Sequence, residues 1–322
     1  MSKSSRHDEQ KLDAILALTE RFDAARKADT ALKTVEIEDL LRLVNGKRAI
    51  IACQFAGRAA VMRFFLDDDP ALSQREWDEL QRIHPVMAQG PYRVVEPLFH
   101  SAGQNLLVVE RAEGTPLLQL MWQSDRADRV QYMEPAARWL RLYTGGTEEW
   151  RRARHRRWLD KAKHAAERQA FDNLRKIEVE IIDLLQQMAD RMDGAEWRTA
   201  ILHGDFHPNN LIAQGRDLVG IDTGGSARMP IYKDMARFLV HMGRRGMWPS
   251  GKTRFGVDAI GLANMEEVFG LNAFERQFAL PFMIGCEGLM RVETRELSSS
   301  RVRRSEEMYT QLREDLAALL NA

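Results

Sequence analysis

The segment Ile201-Leu-His-Gly-Asp-Phe-His-Pro-Asn-Asn-Leu-Ile212 places five polar or ionisable side chains between apolar anchors. Two short strand-like runs, Thr199–Leu202 and Leu218–Ile221, bracket it, and Asp222 follows the second run directly. Pro230-Ile-Tyr-Lys-Asp234-Met-Ala236 then opens a helix. A lone Asp in a loop is ordinarily a cap or turn residue. Here Asp205 comes with His203, Asn210, Asp222 and Asp234 in one stretch of chain.

These residue types suit phosphoryl transfer. A nucleotide's magnesium ion takes hard oxygen ligands, which an Asn oxygen and an Asp carboxylate provide. A second carboxylate must orient the attacking hydroxyl, and donors must meet the charge on the transferred group. Asp205, Asn210 and Asp222 fit the metal and base roles, and His207 is a candidate donor. A metal-binding H-x-D-x-H strand is the competing reading of His203 and His207, but Pro208 and the Asn pair favour a loop.

The rest of the chain reads as strands first and helices afterwards, an α+β arrangement. Residues 7–28 form a helix with Leu12, Ile15, Leu16 and Phe22 at near-helical spacing. Residues 38–68 form three strands joined by Gly-containing turns. Asp67–Asp69 and Pro70 start a helix, with Ser73 and Glu76 at capping-box spacing. Val94–Phe99 and Leu106–Glu110 are two more strands. Helices follow through the 130s to 140s and through the Arg-rich 150s and 160s. The cleanest apolar stripe runs from Ile177 to Met192, and further helices cover 231–243, about 262–295 and 304–320. No G-x-G-x-x-G or G-x-x-x-x-G-K-[ST] motif is present.

Lys plus Arg equals Asp plus Glu at 47 each, so the net charge gives no nucleic-acid footprint. Cys53 and Cys286 stand far apart and outside any C-x-x-C pair, which argues against a disulfide framework or structural zinc site. No apolar run approaches the roughly 18 residues of a membrane span, and no signal-type stretch follows the polar start. A soluble cytoplasmic protein is the expectation.

The loop His203-Gly-Asp-Phe-His-Pro-Asn-Asn210 resembles the catalytic loop of the aminoglycoside phosphotransferase and choline kinase superfamily, itself similar to protein kinases. The resemblance covers roughly residues 41–245 and implies a two-lobed protein-kinase-like fold. It divides the chain into an N-terminal helical extension over 1–40, a β-rich N-lobe over 41–112 and a helical C-lobe over 113–322. It implies transfer of the ATP γ-phosphoryl group to a hydroxyl of a small molecule, such as an amino alcohol, aminoglycoside or sugar. In that scheme Asp205 is the base, with His203 and His207 beside it. Asn210 and Asp222 hold Mg2+, and Asp234 braces the loop. Arg63 grips the non-transferred phosphates with Glu76 as its helix partner, Lys47 lies in the phosphate loop, and the backbone at Glu110 and Ala112 pairs with adenine.

Two departures stand out. Arg63 replaces the Lys of protein kinases, and Asn45-Gly-Lys-Arg48 has one glycine instead of a Gly-rich run. They support a second reading, a nucleotide-binding pseudokinase serving as a regulatory module. Glu76 has an alternative role as the capping-box partner of Ser73, which would leave Glu79 to Arg63. The run Arg151–Arg157, between Trp150 and Trp158, reads as the solvated face of a helix. For a cationic acceptor, Glu287, Glu293 and Glu296 are the available acidic groups.

Overall fold

The computed structural model describes residues 3–67, 69 and 71–321, with side chains from residue 15 onward. Pro70 and the Leu12 side chain, both named above, lie outside the described residues. The chain divides into two compact units.

The first unit comprises residues 1–88 and 94–112. Helix α1 (Lys3–Ala28) precedes strands β1 (Glu36–Val44), β2 (Arg48–Phe55) and β3 (Arg58–Phe65), then α2 (Leu72–Ile83), β4 (Pro97–Ser101) and β5 (Leu106–Glu110). The five strands form one sheet in the order β1-β2-β3-β5-β4, antiparallel throughout. The expected three-strand start is present, but β1 begins at Glu36, so residue 41 lies inside a strand. Its sequence Glu36-Ile-Glu-Asp is exposed, as suits a charged edge strand. Leu18, Phe22 and Ala25 of α1 share one core with Ile51, Met62, Phe64 and Val108 of the sheet. Phe22 meets Phe64 edge-on, with ring centroids 6.3 Å apart.

The start of α2 differs from the capping-box expectation. Its N-cap is Ala71, which makes no side-chain cap. The Ser73 N–H instead donates to Asn105 Oδ1 at 3.1 Å, and the Ser73 hydroxyl meets His100 Nε2 at 3.0 Å. A side chain distant in sequence thus satisfies a helix-start donor that Glu76 is then free to leave alone.

The second unit comprises residues 89–93 and 113–322. Its frame is α3 (Met133–Gly145), β6 (Glu149–Arg152), α4 (His155–Ala166), α5 (Asp172–Arg191), β7 (Glu196–Leu202), β8 (Leu211–Gln214), β9 (Asp217–Gly220), β10 (Ala227–Pro230), α6 (Tyr232–Gly243), α7 (Ala259–Val268), α8 (Leu280–Leu289) and α9 (Ser299–Asn321). Strands β10-β7-β6 form a three-stranded sheet, and β8 and β9 form a hairpin.

Three expectations need correction here. The Arg151–Arg157 run is not one helix face. It is split between edge strand β6, where Trp150 pairs opposite Arg198, and α4. The helix expected over 262–295 is broken after Val268. Asn272 and Glu275 start a new turn there by reciprocal bonds, Glu275 N–H to Asn272 Oδ1 at 2.9 Å and Asn272 N–H to Glu275 Oε2 at 2.8 Å. The stretch Val94–Phe99 is likewise not one strand, since Tyr92–Val94 and β4 are separate. The apolar stripe on α5 does face inward at Ile181, Leu185 and Met188, and Glu178 is buried on the same stripe. Among the described residues no helix is long and apolar enough to cross a membrane.

Candidate active site

The catalytic-type loop leaves β7 at Leu202 and ends at β8, the first strand of the β8–β9 hairpin. Its first residue, His203, is fully buried. The His203 ring receives the Asp205 N–H at Nδ1 (3.4 Å), so Nε2 carries the proton and donates to Ile221 O at 2.9 Å. Burial pushes its pKa down, which keeps the ring neutral and in that tautomer. His203 thus ties the loop to the end of β9.

Gly204 has φ +85°, and a Cβ there would fall on the carbonyl of Gly225. Only glycine permits this approach of two backbones. Its N–H donates to Asp234 Oδ2 at 3.0 Å, and Lys233 Nζ donates to its carbonyl oxygen. Lys233 and Asp234, at the start of α6, are themselves paired at 3.2 Å and almost fully buried. The backbone of one residue is therefore held on both sides.

Asp205 is half-exposed, with side-chain accessibility of 45%. Arg237, one turn along α6 from Asp234, donates from Nε to its Oδ1 at 2.9 Å. His207 Nε2 lies 3.4 Å from its Oδ2. Burial by itself would raise the carboxyl's pKa. The His207 hydrogen bond and the Arg237 charge outweigh it and hold Asp205 well below the usual carboxylate range. His207 in turn stacks on His241, with ring centroids 4.4 Å apart.

Asn210 donates from Nδ2 to Asp205 O at 3.0 Å, which leaves its amide oxygen as the end suited to a cation. The Ile221 N–H donates to Asn210 O at 3.0 Å, continuing the β8–β9 pairing past Leu211 opposite Gly220. The hairpin thus brings Asp222 beside Asn210. Asp222 adopts φ +65° and ψ +53°, a left-handed conformation that an Asp tolerates better than most residues but still at a cost. Local strain of this kind clusters at functional sites.

In the first unit, Arg63 on β3 is 7% exposed and pairs with Glu76 of α2 through NH1 and Oε1 at 2.5 Å. Glu79 pairs with Arg82 at 2.5 Å. Lys47 is exposed in the β1–β2 turn, where its carbonyl accepts from Leu66 N–H at 2.7 Å. Glu110 ends β5, with its N–H given to Glu96 O at 2.9 Å, and Ala112 follows two residues on. Arg237 and Lys233 were not singled out from the sequence. Lys233 stands one residue before Asp234 and Arg237 three after it, on the helix that follows Pro230.

The family model described as the phosphotransferase enzyme family, APH, matches residues 52–266. The chain belongs to that family. Its members' fold is evident in solved structures that resemble it over nearly its whole length. Amicoumacin kinase hAmiN, in complex with AMP-PNP, Ca2+ and Ami, is 11% identical with a TM-score of 0.53, covering 92% of this chain and 95% of the other. Aminoglycoside phosphotransferase APH(2'')-Ib with ADP bound is 12% identical with a TM-score of 0.52, covering 92% and 98%. A thermostable mutant of aminoglycoside phosphotransferase APH(4)-Ia in the apo form is 16% identical with a TM-score of 0.51, covering 89% and 95%. No curated protein matches the chain. The protein-kinase-like α+β fold expected from the loop is therefore the fold of this phosphotransferase.

Proposed function

We propose that this phosphotransferase moves the γ-phosphoryl group of ATP to a hydroxyl of a small molecule. The observation that carries the reading is Asp205, a half-exposed carboxylate held ionised by Arg237 and His207 on a loop clamped at Gly204. A carboxylate held so far below the usual range is a weak base. Its role is to accept and aim the hydroxyl proton, which it takes late, as a loose phosphoryl-transfer transition state allows. In the balanced step the acceptor oxygen bonds to Pγ, the bond from Pγ to the bridging oxygen breaks, ADP leaves and one proton is released.

Asn210 and Asp222 are the hard oxygen donors this site offers to Mg2+, which would neutralise charge on the nucleotide phosphates. Arg63, kept in place by Glu76, supplies a fixed cation for the non-transferred phosphates. The corresponding Lys–Glu pair must be formed for a protein kinase to work, so Arg63 paired with Glu76 favours turnover over a binding-only module. Lys47 and the backbone at Glu110 and Ala112 complete the proposed nucleotide contacts.

A coupled ADP-release assay with Mg-ATP and a panel of small alcohols, run beside Asp205→Ala, tests the reading. Acceptor-dependent ADP release that disappears in the variant is the expected result. Stabilisation by Mg-ATP without release for any alcohol would favour the nucleotide-binding module, and no stabilisation by ATP would overturn both.

A further inference from the structure

The basic run Arg151–Arg157 has no part in phosphoryl transfer as read above, yet its division between β6 and α4 lines a cavity of about 390 Å³. Arg154, Arg157, Trp158 and Lys161 all line it, and their spacing of i, i+3, i+4 and i+7 puts them on one face at the start of α4. Opposite them are strands β6, β7 and β10 of one sheet, where Arg151 pairs in register with Trp197, and Thr199 with Glu149 on one side and Pro230 on the other. Trp197 is 2% exposed and Trp158 half-buried, and with Met229 they give the cavity an apolar part.

Six cations line this cavity, Arg151, Arg152, Arg154, Arg157, Lys161 and Arg228, and no carboxylate among the described residues does. Glu149 Oε1, just beyond the lining, takes both Arg151 NH2 and Arg228 NH1 at 2.6 Å. Glu196 stands opposite Arg152 in the strand register, and Asp160 lies beside Lys161 on α4. Counting all three carboxylates against the six cations leaves an excess of three positive charges. Further out, Asp190 and Asp193 pair with Arg156, and Glu148 with Arg141 and Arg198. Among the described residues Arg152, Arg154 and Arg157 form no ion pair, while Lys161 Nζ sits 5.0 Å over the Trp158 ring. Arg154 is moreover the N-cap of α4 and Arg157 stands in its first turn, which holds no acidic residue. Cations are disfavoured there by the partial positive charge of the helix start.

We propose that this cavity is a binding site for an organic phosphate, distinct from the phosphotransfer site. The phosphate sits among Arg154, Arg157 and Lys161, and the apolar body of the ligand packs on Trp158, Trp197 and Met229. A phosphomonoester carries about −1.5 to −2 charges near pH 7, which matches the cation excess better than the single charge of a carboxylate. Arginine meets its oxygens with paired N–H donors. A volume of about 390 Å³ suits a small molecule, being at the lower end of the range of roughly 300–1,000 Å³ for ligand pockets. Neither Asp205, Asn210 nor Asp222 lines the cavity, so the inference goes beyond the reading of those residues and does not depend on it.

The test is calorimetric titration of the full chain, at constant ionic strength and without nucleotide or metal, with phenyl phosphate, inorganic phosphate and benzoate. Saturable binding of phenyl phosphate, tighter than that of either comparison ligand, is expected. The double variant Arg154→Gln with Arg157→Gln should weaken it about 10- to 100-fold, and Lys161→Gln should weaken it in the same direction. The unliganded melting temperature of each variant shows that it is folded. Cosedimentation with phosphatidylcholine vesicles containing phosphatidic acid separates the two sources of such a group. Phenyl phosphate binding without cosedimentation assigns a soluble ligand, and cosedimentation that the double variant loses assigns a lipid headgroup. No saturable binding of phenyl phosphate, equal binding of benzoate, or an affinity unchanged in both variants would overturn the inference. Stabilisation by Mg-ATP should be the same in the variants as in the parent chain; its loss would show that the two sites are one and overturn the inference as well.

Discussion

At Asp205 two effects oppose each other: partial burial raises its pKa, and contact with His207 and Arg237 lowers it further. The lowering prevails, so the carboxylate is present across the neutral range. The sign of the linkage follows: a depressed pKa stabilises the fold above the ordinary Asp value, and that contribution is lost as pH falls through the folded value. Arg237→Gln removes the nearer fixed charge, and the acid limb of the kcat–pH profile should then move up by about one unit or more. An unmoved limb would assign the lowering to His207 alone. Asp205→Ala should reduce kcat by about 100- to 10,000-fold, the usual range for removing a positioned acid–base group, with KM for ATP little changed.

The catalytic loop works as an element because three others grip it: β9 through His203, α6 through Lys233 and Asp234, and the Gly225 turn against Gly204. Gly204→Ala tests that grip. The left-handed φ alone costs about 1–2 kcal/mol for a non-glycine residue, and collision with the Gly225 carbonyl adds to it. A fall in melting temperature together with loss of turnover is expected from calorimetry and the ADP assay. A variant that keeps full activity would show that the loop backbone relaxes without harm. In the first unit, α1 is held by burial of Phe22 against Phe64. Phe22→Ala should destabilise that unit by about 3–5 kcal/mol, the range for emptying a Phe site in a core, measured by denaturant unfolding.

At the scale of the molecule, stability carries a titration from the core of the second unit. Glu178, on the buried stripe of α5, is pushed up to about 7 by burial, against the opposing bond from Gln169 at 2.7 Å. A carboxyl whose folded pKa exceeds its unfolded value contributes stability that is complete at low pH and lost as pH rises through the folded value. The melting temperature should therefore decline as pH passes from about 4.5 to about 7 through this group. Glu178→Gln keeps the hydrogen-bonding shape without the charge and should flatten that decline. An identical pH profile in the variant would show that Glu178 does not titrate in this range.

How much was legible in the sequence follows from where each signal resides. Local order is written locally: the edges of β2 and β3, the inward stripe of α5, and the spacing of Asp205, Asn210 and Asp222 depend on neighbours within one turn, one strand or one hairpin. The loop motif therefore identified the fold class and the family by itself. What no local pattern contains is pairing at a distance. Asn105, 32 residues from Ser73, takes the helix-start donor that a capping box would have taken. Strand β7 captures Glu149–Arg152 as an edge strand, which divides an Arg-rich run that by itself reads as helix. Charge balance is the clearest case. Glu287 and Glu293 read along the chain as acidic groups open to a cationic ligand, because a sequence shows which charges exist but not which neutralise one another. Glu287 and Arg291 stand four residues apart, a pair that spacing allows, but only tertiary packing brings Arg244, 49 residues away, to Glu293 and leaves Arg245 without a carboxylate partner among the described residues.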